Sequence, residues 1–248
     1  MKKIIILLLV AFINIQFSYS WDKQTHIAIG KYACFLLSDS LGFPDENKKY
    51  DESSRNDHYF NLDKDSTVAT RFIENGLLFY RTDQDTCQKN GNLYFSIVYY
   101  YREFLKTKNI QNLVFLGHFI GDLSNPFHNM GYETFNETHH SKNDAILDNY
   151  LNDLKHKGYF INLDHKLKRY WIQNECDLKI HIARIANLSK KLGYKLEKKN
   201  RDMTISEAKM QITESISLFR AVLNYVQKSD KRMKLFQCDS KHRNQPCK

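Results

Sequence analysis

Apolar residues recur at helical spacing along most of this chain. The segments Thr25 to Leu37, Leu93 to Leu105, Ile110 to Leu123, Ser141 to His156 and Asp177 to Leu192 each gather their apolar side chains on one stripe of a helix. The clearest is Ile205 to Val226, where Ile205, Ala208, Ile212, Ile216, Phe219, Leu223 and Val226 step by three or four. Thr204-Ile-Ser-Glu207 opens it with a capping box, in which two side chains satisfy opposing backbone donors. No run alternates as a strand does, and no repeat or low-complexity linker interrupts the chain. The pattern predicts an all-α fold, a single compact multi-helix domain over residues 21–248. The polar stretch from Gly42 to Lys64 reads as a long loop, a place where function concentrates. Residues 229–248 form a short basic tail, expected to be loosely held.

Composition changes this picture at one end. Lys2 and Lys3 precede the apolar run Ile4 to Phe17, and Ser18-Tyr19-Ser20 offers small residues where a signal peptidase cuts. The run is shorter than the about 20 residues that cross a bilayer. Residues 1–20 therefore read as a secretory signal cleaved before Trp21. Losing the two leader lysines lowers the net charge from +9 to +7. A basic secreted protein meets anions: nucleic acid, phospholipid headgroups or cell-surface polymers. The 248 residues fit one domain or at most two. Five cysteines remain, and none forms a Cys-x-x-Cys motif. Export permits disulfides; Cys238 with Cys247, or Cys87 with Cys176, are the candidate pairs, and Cys34 on an apolar helix reads as a buried free thiol. Asn136-Glu-Thr138 and Asn187-Leu-Ser189 are glycosylation sequons.

The densest chemistry lies in residues 118–144. His118 and Asp122 stand four apart, so a helix points both from one face, and His140 and Asp144 repeat that spacing. His128 falls between them, just after the helix-ending Asn125-Pro126. Imidazole and carboxylate together suit zinc and other borderline divalent metals. One such pair is as readily a hydrogen-bonded core pair; two with an intervening histidine point to metal. Cleavage before Trp21 would expose an α-amino group that chelates with its neighbouring carbonyl, and His26 follows five residues later; packing of Trp21 and capping by His26 is the structural alternative. The loop adds Asp45, Asp51, Asp57 and His58.

Trp21 with His26, an acidic loop ending in His58, the run HFIGDLSNPFH, and His140 with Asp144 resemble the zinc-dependent phospholipase C and single-strand-specific nuclease superfamily, in order and spacing, over the whole chain from Trp21. The resemblance implies an all-helical fold holding three zinc ions in a cleft. It assigns Asp45, His58, His118 and Asp122 to one zinc, with Asp51 as the substitute for Asp45. The amine and carbonyl of Trp21, His26 and a shared Asp122 go to a second, and His128, His140 and Asp144 to the third. His140 rather than the adjacent His139 carries the better spacing to Asp144. Asp45 and Asp122 would be the catalytic carboxylates, and the two zincs sharing Asp122 would activate a bridging water. Lys48, three residues after Asp45, would add positive charge at the phosphate, although a solvated lysine is the favoured reading of it. Phe60, Tyr132 and Phe135 lie near ligands as candidate stacking surfaces, and core packing or a lipid-facing rim explains them equally well.

Several features resemble the nuclease branch: the step from Trp21 to His26, HFIGD itself, aspartate at 144, and Cys87-Gln-Lys-Asn-Gly91 before FSIVYYY. The expected activity is cleavage of single-stranded nucleic acid, or of 3′-nucleotides. The short step from His128 to His140 and the segment YDESSRNDHYF lean instead toward phospholipase C acting at a phospholipid surface. A non-catalytic metal-binding surface module, and a membrane-surface protein acting through its basic tail, are the remaining alternatives.

Overall fold

The computed structural model describes residues 21–42, 55–82, 90–156, 167–229 and 235. Among these residues the chain is mostly α-helical and has no strand; one isolated bridge pairs Phe60 with Gly91. The helices are α1 (Lys23–Tyr32), α2 (Thr70–Leu77), α3 (Leu93–Thr107), α4 (Ile110–Leu123), α5 (Thr134–Asp144), α6 (Ile146–His156), α7 (Glu175–Lys198) and α8 (Ile205–Ser229). Short 3₁₀ turns at Ser38–Gly42, Asn56–His58 and Pro126–His128 connect them. The all-helical expectation is met. The leader, Asp45, Lys48, Asp51, Cys87, Cys238, Cys247 and nearly all of the basic tail lie outside the described residues.

Local chemistry explains the helix ends. Lys108 ends α3 with φ +57, and Asn109 starts α4 by accepting the Gln111 amide at 3.0 Å, so the two helices form a tight antiparallel hairpin. Thr204 and Glu207 make the expected capping box of α8, and Asn174 with Asp177 makes another at α7. That second box starts α7 at Glu175, two residues before the apolar pattern begins, and the helix runs on to Lys198. The sequence reading differs at three further places. The expected first helix stops at Tyr32, where the chain turns through Cys34 at φ +63. The helix expected from Ser141 breaks at Ala145 into α5 and α6, placing His140 and Asp144 together on α5. The helix α2 carries too few residues to register as a period and was not expected.

Two corrections concern cysteines. Cys34 is disulfide-bonded, its partner lying outside the described residues, and is not a free thiol. Cys176 is an exposed free thiol, so the Cys87–Cys176 pairing is not made.

The core has two parts. The larger gathers α3, α4 and the C-terminal half of α8 around Leu93, Phe95, Phe104, Leu116 and Phe219. The smaller gathers Trp21, Ile29, Phe127, Met130, Leu147 and the N-terminal half of α8. Burial on this scale stabilises by about 25 cal/mol per Å² of apolar surface. The seam between the two clusters is where α1, α4 and α5 bring their polar residues together. No helix among the described residues is long and apolar enough to cross a membrane.

Candidate metal centre

Asp122, fully buried on α4, is the centre of the first cluster. Its Oδ2 lies 2.8 Å from His58 Nδ1 and 3.7 Å from His118 Nε2. Its Oδ1 lies 3.0 Å from His26 Nε2 yet outside hydrogen-bonding geometry, and has no hydrogen-bond partner. The His26 and His118 rings stack 3.9 Å apart. Burial alone would raise the Asp122 carboxyl, but the charges of His118 and His26 and the bond to His58 outweigh it and hold the group well below the usual carboxylate range. His118 is driven well below its ordinary value, first by burial and then by His26.

Two glycines make this approach possible. A Cβ on Gly121 would stand 2.6 Å from the His26 ring, and one on Gly117 would stand 2.6 Å from Phe219. The bare backbone of α4 on either side of His118 lets α1 and α8 close on it.

The second cluster is His128, His140 and Asp144, all buried. His140 Nε2 lies 2.8 Å from His128 Nε2 and 3.2 Å from Asp144 Oδ2. Asp144 Oδ1 accepts from Asn125 Nδ2 at 2.7 Å. Burial and then His140 lower the His128 imidazole to about 4, so it is neutral at physiological pH. The donor atoms of each triad, His26–His118–Asp122 and His128–His140–Asp144, lie within 4.8 Å of one another. The two clusters touch where His128 Nδ1 donates to the His58 carbonyl at 2.6 Å.

The outward-facing nitrogens decide how well these residues fit a cation. His118 Nδ1 donates to Leu41 O at 2.8 Å, and His128 Nδ1 to His58 O. A carbonyl can only accept, so both rings carry their proton on Nδ1 and turn a lone pair inward from Nε2. His140 is held the same way by Asn136 Oδ1 at 2.9 Å. Two imidazole lone pairs therefore face each other across 2.8 Å beside a carboxylate. A bound cation resolves that arrangement, and backbone carbonyls behind the rings are the usual support of metal-binding histidines. The unsatisfied Asp122 Oδ1 fits the same reading. Negative charge also accumulates at the start of α1, where Asp22 is pushed up to about 6 by burial and then by Asp148 and Asp144.

Other expected site residues fall in different places. Trp21 buries its indole in the smaller core cluster and donates from Nε1 to Ser124 Oγ at 3.2 Å; the Asp22 amide donates to the Asp144 carbonyl at 3.3 Å. The main chain at residue 21 thus lies between the ends of α4 and α5. Burying so large a ring contributes on the order of 3 kcal/mol, whatever the main-chain atoms bind. Of the candidate stacking rings, Phe60 takes the core-packing alternative: it is buried in the larger core cluster, its ring stacked on Tyr94. Phe135 packs against His139 and Phe127. Tyr132 is exposed, its ring 6.1 Å from that of His140. His139 turns to Asp202 at 2.6 Å, away from the cluster, and Asp57 binds Tyr80 and Arg81. Asp148 was overlooked: it accepts from the Gln24 and Thr25 amides at 2.7 Å each and from Thr25 Oγ1 at 2.6 Å, capping α1 from across the fold. Its spacing, four after Asp144, continues the run Asn136, His140, Asp144 and was a visible signal.

Comparison with protein-family models, with curated proteins and with solved structures finds no match to the chain.

Proposed function

We propose that this chain is a secreted, zinc-dependent phosphodiesterase acting on single-stranded nucleic acid or nucleotides. The observation that carries the reading is the convergence of His26, His58 and His118 on the one buried carboxylate of Asp122, with His128, His140 and Asp144 adjoining. In this reading Asp122, with His26, His58 and His118, would serve two ions, and His128, His140 and Asp144 would hold a third. Zinc, when bound, would supply Lewis-acid chemistry, lowering the pKa of water toward neutral. The protein supplies the rest. His118 and His128 hold their lone pairs inward through carbonyl contacts. Asn125 fixes the Asp144 carboxylate. Phe119, 5.1 Å from the His58 ring, and Phe127, 6.0 Å from the His140 ring, pack apolar surface against the two clusters. Tyr132 stands at the exposed edge, where a base can stack. Asp45, which the resemblance assigns to the first ion, and Lys48, the candidate phosphate contact, lie outside the described residues.

One observation favours phospholipase C as a second reading. Residues 129–133 turn directly from the His128 segment into α5, tied by the Gly131 amide to Tyr194 Oη at 3.2 Å, with no excursion to form a base pocket. The deciding experiment offers single-stranded DNA, RNA, a 3′-nucleotide and phosphatidylcholine side by side to mature protein loaded with zinc. Turnover of the nucleic-acid substrates is expected. Turnover of the lipid alone would move the chain to the second reading, and turnover of none, with zinc bound, would leave a non-catalytic metal-binding module.

A further inference from the structure

Asn136-Glu137-Thr138 has the form of a glycan acceptor, but Asn136 is fully buried and its carboxamide is spent. Nδ2 donates to the Phe127 carbonyl at 2.9 Å and to the Gly131 carbonyl at 3.3 Å. Both carbonyls belong to the turn that carries His128. Because the amide hydrogens point there, Oδ1 is the atom that meets His140 Nδ1 at 2.9 Å, and it can only accept. The imidazole is thereby held as the Nδ1–H tautomer. Its Nε2 lone pair is turned toward His128 Nε2 and Asp144 Oδ2.

We propose that Asn136 is a positioning residue: it sets the tautomer and ring plane of His140 and ties that ring to the His128 turn. The same bonds close the triplet to modification in the folded protein, because a glycan on Nδ2 would remove a donor and need space the core does not have. Asn187 is engaged alike. Its Nδ2 donates to Val68 O and Ala183 O, both at 2.8 Å, and its Oδ1 accepts from the Val68 amide at 3.0 Å. The role assigned to Asn136 rests on the metal reading of the same triad.

Three variants test it. Asn136→Asp keeps an acceptor for His140 and loses both donors; Asn136→Leu loses both functions; Thr138→Ala destroys the triplet and leaves Asn136 alone. Nitrogen-15 NMR of the metal-free protein reads the His140 tautomer, and competition with a chromophoric chelator reads zinc affinity. Metal-free wild type and Asn136→Asp should show the Nδ1–H tautomer. Asn136→Leu should lose it and bind one zinc equivalent 10- to 100-fold more weakly, the range for removing such a support. Asn136→Asp should stay within a few-fold of wild type, although both variants melt earlier. Thr138→Ala should match wild type, and protein from a glycosylating host should carry no glycan on Asn136. Equal zinc loss in the Asp and Leu variants would overturn the proposal, as would an Nε2–H tautomer in metal-free wild type, which needs no variant to fold. A glycan on Asn136 with normal zinc affinity would overturn the closure to modification. Wild type that binds no zinc would remove the phosphodiesterase reading, and the metal-free tautomer would still decide what Asn136 does.

Discussion

The two halves of the candidate centre are built in opposite ways. Around Asp122, the candidate ligands come from α1, the turn at Asn56–His58 and α4, and nothing local brings His26 or His58 to that carboxylate. Around Asp144, all three ligands fall within residues 128–144, two of them one turn apart on α5. The first half is assembled by packing: Gly121 lets His26 in, Asp148 caps α1 in place, and Leu41 O orients His118. The second half is assembled by short-range geometry, with Asn125 and Asn136 as local supports. The first should therefore respond strongly to changes far away in sequence, and the second mainly to changes nearby, its remote supports being the His58 carbonyl behind His128 and the Asp22 amide on the Asp144 carbonyl.

The largest break of this contrast is Asp122→Ala. It should remove two of three zinc equivalents, leave the one held by His128, His140 and Asp144, and reduce activity to background; metal analysis that finds all three retained would reject the sharing. Asp144→Ala should do the reverse, removing one equivalent and sparing the Asp122 pair. An uncleaved extension before Trp21 comes next. It should abolish activity while leaving the Asp144 ion in place, and full activity with the extension present would mean the amine is not a ligand. Gly121→Ala sharpens the comparison, because its methyl group would stand 2.6 Å from the His26 ring, with Ile29 next at 3.2 Å. It should lower zinc affinity at the first half by about tenfold, the low end for disturbing a metal site's support, with the second half unchanged by the same titration.

Acid probes the second half separately, read on metal-free protein. His128 titrates near 4 when folded and near 6.5 when unfolded, so between these values the unfolded chain binds more protons. Its contribution is complete above pH 6.5 and is lost as pH falls toward 4. The full loss is on the order of 3 kcal/mol. The Asp122 carboxyl, held low, adds loss in the same direction at more acid pH. Urea midpoints at pH 7 and pH 4.5 should differ accordingly in wild type, and by clearly less in His128→Gln. Equal differences would show that His128 is not held neutral by the fold.

Much of this was legible in the sequence, and the limit has a physical cause. Helix periods in α3, α4, α7 and α8 are local facts of the chain, as are the Thr204–Glu207 box and the i, i+4 pairs that bring His118 to Asp122 and His140 to Asp144. A backbone of 3.6 residues per turn imposes them before any packing occurs. The break at Ala145, the stop of α1 at Tyr32 and the burial of Phe60 depend on neighbours that no local period reports. The same is true of the atoms behind the ligands. Leu41 O, His58 O and Asp148 come from remote segments, and only the folded chain decides which lone pairs face inward. Ligand type and spacing belong to the sequence; the direction each ligand points belongs to the packing of α1, α4 and α5 along the seam between two hydrophobic clusters.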